Sequence, residues 1–119
     1  HRVLKAKRRA GGVVWFDFQT LCGGPRSQND YLELATRFHT IVLSDVPHMP
    51  VRLASEARRF TWLVDVFYDN KVKLIATADC AAEDLYTEGT QASEFKRTVS
   101  RLTEMNSREY LAQPHIVAP

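Results

Sequence analysis

An acidic residue closes an apolar run in TIVLSDVPHMP, residues 40–50, and Pro47 breaks the chain just after it. In P-loop phosphoryl-transfer enzymes an Asp at a strand end holds magnesium beside an acid that polarises water. A glycine-rich loop followed by Lys and Ser or Thr cradles the phosphates. Here Val46 stands where the second acid would be, and no G-x-x-x-x-G-K-[ST] occurs anywhere. GGPRS at 23–27 lacks both the lysine and the spacing. Asp45 is therefore expected to cap a loop backbone or pair with an arginine. These residues cannot grip a triphosphate unaided, so neither ATP nor Mg is expected on this chain alone.

Other constellations are weaker. Ser44 has no nucleophile elbow around it. His1, His39, His48 and His115 show no HExxH or other metal spacing, and His39 reads as a structural imidazole. Cys22 and Cys80 form neither a CxxC pair nor a disulfide framework, and read as buried, reduced thiols of a cytoplasmic protein. No catalytic residue and no metal ligand is assigned. One enzymatic arrangement stays open: a small α/β enzyme with its site at the C-terminal ends of parallel strands, near Asp45, Asp79 and Cys80.

The arginines carry more information. Arg58 and Arg59 sit near the start of a middle helix, and Arg97 and Arg101 sit one turn apart on a last helix. A guanidinium fork matches phosphate oxygens and stays charged, so it is what one domain or subunit supplies to another's nucleotide. The alternative is surface pairing with Glu104, Asp65 or Glu94. Lys5, Lys7, Arg8 and Arg9 form a basic cluster, either a solvated strand and turn or a phosphate-binding arm. The net charge of +2 is too small to imply nucleic acid. A free-standing module binding protein or an acidic polymer remains the alternative function.

The elements that must position these residues follow from pattern. RVLKAK alternates, RRAGG supplies a glycine turn and VVWFDF is β-branched and aromatic, which predicts an N-terminal β-hairpin. LCGGPRSQ reads as a loop. Ser27 caps a helix with Asp30 three residues on, and Tyr31, Leu34, Ala35 and Phe38 form its apolar face. TIVLSDV and KVKLIATA read as strands buried on both faces. The helix SEARRFTWLVDVFYDN joins them, with Phe60, Leu63, Val64 and Phe67 facing the core. Together they make a parallel βαβ unit with a right-handed crossover. DCAAEDLY reads as one or two helical turns. Ser93 is expected to cap a long C-terminal helix, SEFKRTVSRLTEMNSREYL. Phe95, Val99 and Leu102 lie on one side of it and Arg97, Arg101, Glu104 and Arg108 on another. The tail AQPHIVAP is expected to fray. The fold class is thus α/β, a small mixed sheet with an N-terminal hairpin, one parallel βαβ unit and a long C-terminal helix.

At 119 residues with 45% hydrophobic content, one α/β module over residues 1–119 is expected. No apolar run approaches a membrane span, and the basic start lacks a signal-peptide core. Opening at His1 with no Met, the chain is expected to be an excised piece of a longer one.

The segments FDFQTLC, DYLELATRFHTIVLSDVPHM, EARRFTWLVDVFYDNKVKLIATA and EFKRTVSRLTEMNSREYL resemble, nearly end to end, the C-terminal part of the AFG-type AAA ATPase family. That family includes the bacterial cell-division protein ZapE and mitochondrial ATPases. The resemblance implies a parent with a P-loop core upstream of His1 that binds ATP and Mg and acts on protein partners, in bacteria the division ring through FtsZ. This chain would be its non-catalytic C-terminal module, packed on that core, with membrane contact made only through partners, oligomerisation open and no nucleic acid bound. It also implies that Arg58, Arg59, Arg97 or Arg101 could approach a nucleotide.

Overall fold

The computed structural model describes residues 4–116. Strand β1 (Arg8–Ala10) turns through Gly11 and Gly12 into β2 (Val13–Asp17), antiparallel, with Arg8 opposite Trp15. Gly11 has φ 58°, the left-handed region a tight turn needs and glycine adopts without cost. Arg8 and Arg9 are therefore in the strand, not the turn. The sequence LCGGPRSQ is not all loop, because α1 (Phe18–Cys22) starts directly after β2, capped by Asp17, whose Oδ1 accepts from the Thr20 amide at 2.8 Å. That bond holds the Asp17 carboxyl below the usual carboxylate range.

Helix α2 (Gln28–Arg37) leads to β3 (Thr40–Val46), which lies parallel to β2 with Trp15 opposite Val42. The Ser27 amide donates to Asp30 at 2.7 Å, as the capping pair requires. A 3-10 turn at Val51–Leu53 runs into α3 (Ala54–Asp69), which begins one residue before the expected segment SEARRFTWLVDVFYDN. The helix ends at Asn70, and β4 (Lys73–Ala78) adds parallel to β3 with Ile75 opposite Val42. The sheet order is β1-β2-β3-β4, an α/β fold with a mixed sheet and an N-terminal hairpin. A second parallel crossover, β2 to β3 through α1 and α2, accompanies the expected β3-α3-β4 unit.

DCAAEDLY gives a single 3-10 turn, Ala82–Asp84. In helix α4 (Ala92–Met105) Gln91 occupies the N-cap position without a side-chain capping bond, Ser93 lies inside the helix, and the helix ends at Asn106. The expected long C-terminal helix is present as the 14-residue α4, but it does not continue to the end of SEFKRTVSRLTEMNSREYL: Ser107 accepts from the Tyr110 amide and starts α5 (Arg108–Ala112). The tail is tied down as far as it is described. His115 Nε2 lies 2.5 Å from the Ala35 carbonyl, and the Ile116 amide donates to Asn70 O at 2.9 Å. Residues 2 and 3 of the expected first strand RVLKAK and 117–119 of the tail lie outside the described residues.

The core is aromatic at its centre. Phe60 on α3 stands between Phe18 and Phe95, with ring centroids 6.2 and 6.1 Å away, and Phe95 meets Tyr86 edge-on. Val14, Phe16, Ile41 and Leu43 project from β2 and β3 into this core and are buried. Both crossovers step the same way across the sheet, so right-handed connections place their helices on one face. Burial agrees. On the other face Val13, Trp15 and Val42 are only half-buried, and Ile75 is 58% exposed. The expectation of burial on two faces holds for most of β3, where Thr40 and Ser44 of this second face are buried beside the half-buried Val42, and fails for β4. β4 is an edge strand whose residues 75–78 are exposed on both faces, and a continuous apolar run cannot distinguish that place from a central one.

Candidate functional site

Helices α3 and α4 run parallel, side by side. Phe60 stacks on Phe95, Thr98 Oγ1 donates to Thr61 Oγ1 at 3.2 Å, and Tyr68 OH donates to Glu104 at 2.8 Å. That packing lays Arg97 and Arg101 against Asp65. Arg101 Nη1 donates to Asp65 Oδ1 at 2.5 Å and its guanidinium lies over the Tyr68 ring, while Arg97 Nη2 is 3.6 Å from Asp65 Oδ2. Of the three acids the sequence offered as partners, Asp65 takes both arginines, and Glu104 accepts from Tyr68 instead.

Arg59 turns the other way. Its Nε donates to the Cys22 carbonyl at 2.7 Å, and Nη2 is 3.9 Å from Glu56. It ties the end of α1 to α3. Arg58 is exposed, and among the described residues its guanidinium has no hydrogen-bond or ionic partner. The four arginines thus do not converge: three are engaged within the fold and Arg58 is free.

Asp45 lies one residue inside the end of β3, at φ 63°, where three residues of β3, Leu43 to Val46, advance against two of β4. Its amide donates to Thr77 Oγ1 at 2.9 Å. Among the described residues its exposed carboxylate meets no arginine and caps no loop, contrary to both sequence readings. The left-handed conformation is one that Asp tolerates better than most side chains.

The third reading, a site near Asp45, Asp79 and Cys80, finds little support in this geometry. The strand order runs without reversal, so the sheet has no switch point at which a ligand crevice opens. Partial burial and the nearby Asp84 and Asp79 push the Cys80 thiol up, away from a reactive thiolate. Among the described residues no group of three or more His, Cys, Asp or Glu could hold a metal ion. The basic cluster is divided too. Lys7 lies over the Trp15 ring and Arg9 over Phe38, on opposite sides of the sheet.

Cys22 is fully buried, and desolvation pushes its thiol up to about 12 despite the Tyr31 hydroxyl at 3.8 Å. The unfolded thiol ionises near 9.0 while the folded one stays neutral, so stability falls as pH rises from there toward about 12. Urea unfolding should give a stability lower by about 1 kcal/mol at pH 10 than at pH 8 from this thiol. In Cys22→Ala the fall should shrink by that amount; an unchanged fall would mean the thiol is accessible in the folded state.

Comparison with known proteins decides what kind of chain carries these features. Residues 1–114 match the sequence model of the AFG1-like ATPase family. The chain belongs to that family. Among its relatives is the cell division protein ZapE of Escherichia coli K12, 43% identical over 116 residues, covering 98% of this chain and 31% of ZapE. Lactation elevated protein 1 homolog B of Danio rerio is 31% identical over 141 residues, covering 92% of this chain and 28% of the relative. An uncharacterized protein of Schizosaccharomyces pombe is 29% identical over 143 residues, covering 95% and 31%. The chain therefore spans about a third of the length of the curated relatives it matches. No solved structure matches it. No helix among the described residues is long and apolar enough to cross a membrane.

Sequence reasoning overlooked one feature of this AFG1-like chain: the uncovered sheet face with Trp15, Val42 and Ile75 in a single row. The signal was present in the right-handed crossovers, but it needs the strand order to be read.

Proposed function

We propose that this chain is the non-catalytic C-terminal module, one unit over residues 1–119, of a ZapE-like P-loop ATPase. The phosphate loop and magnesium strand lie in a preceding core of the same polypeptide. The parent binds ATP and Mg, hydrolyses ATP, and acts on protein partners in the cytoplasm during bacterial cell division, with association to the FtsZ ring. The observation that carries this reading is the family match over nearly the whole chain, joined to a sequence with no phosphate loop.

Arg58 is the arginine whose geometry best suits a reach toward the core's nucleotide, because it is exposed and uncommitted. Arg59, Arg97 and Arg101 would each have to leave a partner first. The test is ATP turnover. The 119-residue chain should give none above background, and the full-length parent should turn ATP over. Arg58→Ala in the parent should lower turnover by roughly tenfold or more if the fork meets a phosphate. Turnover by the isolated chain would overturn the non-catalytic assignment, and an unaltered Arg58→Ala parent would remove that arginine from the nucleotide.

A further inference from the structure

Sheets of parallel strands occur almost only with both faces covered, since their crossovers bring helices to them. This sheet departs from that rule. Both of its crossovers deliver helices to the face of Val14, Phe16, Ile41 and Leu43. On the opposite face Trp15, Val42 and Ile75 are register partners, so three apolar side chains stand in one row across β2, β3 and β4; Thr40 and Ser44 beside Val42 are buried, and the exposure is concentrated at Ile75. Ile75, at 58%, is the most exposed large apolar residue among those described. Trp15 donates through Nε1 to Ser44 Oγ at 2.9 Å, which lays its ring along the sheet rather than into solvent. Arg8, opposite Trp15, and Lys73, opposite Thr40, flank the row with positive charge.

We propose that this face is an interdomain interface, covered by a helical layer of the ATPase core in the same polypeptide, with carboxylates on that layer facing Arg8 and Lys73. This rests on the reading of the chain as one module of a longer ATPase. One observation and two physical arguments favour that occupant over a second copy or a separate partner. About two-thirds of ZapE lies outside the aligned region, so a homologous parent has enough chain to supply a whole further layer. A tethered domain meets the face at the millimolar effective concentration of an intramolecular contact. The size also fits. Strands about 4.8 Å apart, with β2 five residues long, make a four-strand face of roughly 300 Å². Counting both sides gives roughly 600 Å², the lower range of interdomain interfaces.

The test is hydroxyl-radical footprinting of the full-length parent, with ATP turnover measured on the same preparation. Val51 is the internal reference: it is 54% exposed, close to Ile75, and lies beside α3 on the covered side of the sheet. If the core covers the bare face, Ile75 should be oxidised about fivefold less than Val51, because interface core positions lose their water. That protection should not change on dilution. Ile75→Asp should then restore oxidation at Trp15 and lower the parent's melting temperature, while Val51→Asp should leave both as they are. Equal oxidation of Ile75 and Val51 would overturn the interface. Protection that disappears on dilution would assign the face to a second copy and overturn the proposed occupant. Loss of the ATPase reading is registered separately: a parent without turnover but with a protected Ile75 would refute the function and keep the interface.

Discussion

Phe60→Ala is expected to lower the stability of the fold by about 3–5 kcal/mol, the range for deleting a buried phenylalanine ring. Phe60 has the position for the upper part of that range. It is buried on α3 with Phe18 of α1 on one side and Phe95 of α4 on the other, so its removal opens a void shared by three helices. None of them can close that void alone, because Thr98 and Arg101 also fix α4 to α3 through Thr61 and Asp65. Equilibrium unfolding in urea measures the loss as a shift in midpoint at constant slope. A loss below about 1 kcal/mol would mean that α4 collapses onto α3 and the packing is looser than described.

Tyr110→Phe is expected to cost about 1–3 kcal/mol, although it removes only one oxygen atom. The Tyr110 hydroxyl is buried and donates to the Val72 carbonyl at 2.6 Å, with the Phe67 carbonyl at 3.1 Å. Phe67 O keeps a second donor in the Val72 amide, so the penalty falls mainly on Val72 O, which loses its close hydroxyl donor. Burial also raises the Tyr110 phenol above its ordinary range, so the hydroxyl stays a donor throughout the accessible pH range. The variant keeps the ring and its stack on Tyr68 at 5.9 Å, so urea unfolding isolates the hydrogen bond from the packing. A neutral result would place water at Val72 O.

Much of this architecture was legible because local patterns and tertiary demands agree. The α3 spacing of Phe60, Leu63, Val64 and Phe67 names four residues that are all buried, and the parallel pairing of β3 with β4 follows from the helix between them. Where reading failed, the deciding interaction lay outside the local window. Helix α1 hides in front of Gly23, Gly24 and Pro25, and what nucleates it is Asp17, which looked like a strand residue. The break after α4 carried a readable mark in the adjacent pair Asn106 and Ser107, a helix end followed by a helix start. The charge pattern through Arg108 argued for continuity instead. The fate of each arginine was not legible, since Arg59 and Arg101 have equally sound local alternatives. The packing of α1 on α3 gives Arg59 the Cys22 carbonyl, and the parallel α3–α4 packing gives Arg101 the Asp65 carboxylate.

The absence of a reversal in strand order also leaves β4 as a growing edge. The Lys73 amide points inward to His39 O, so by alternation the peptide groups of Leu74, Ala76 and Ala78 point away from the sheet. A strand delivered from elsewhere would lengthen the sheet at that border without rearranging anything already built. In concentrated solution the same border would template stacking of separated molecules, and Lys73 is the one charged side chain within the strand to oppose it.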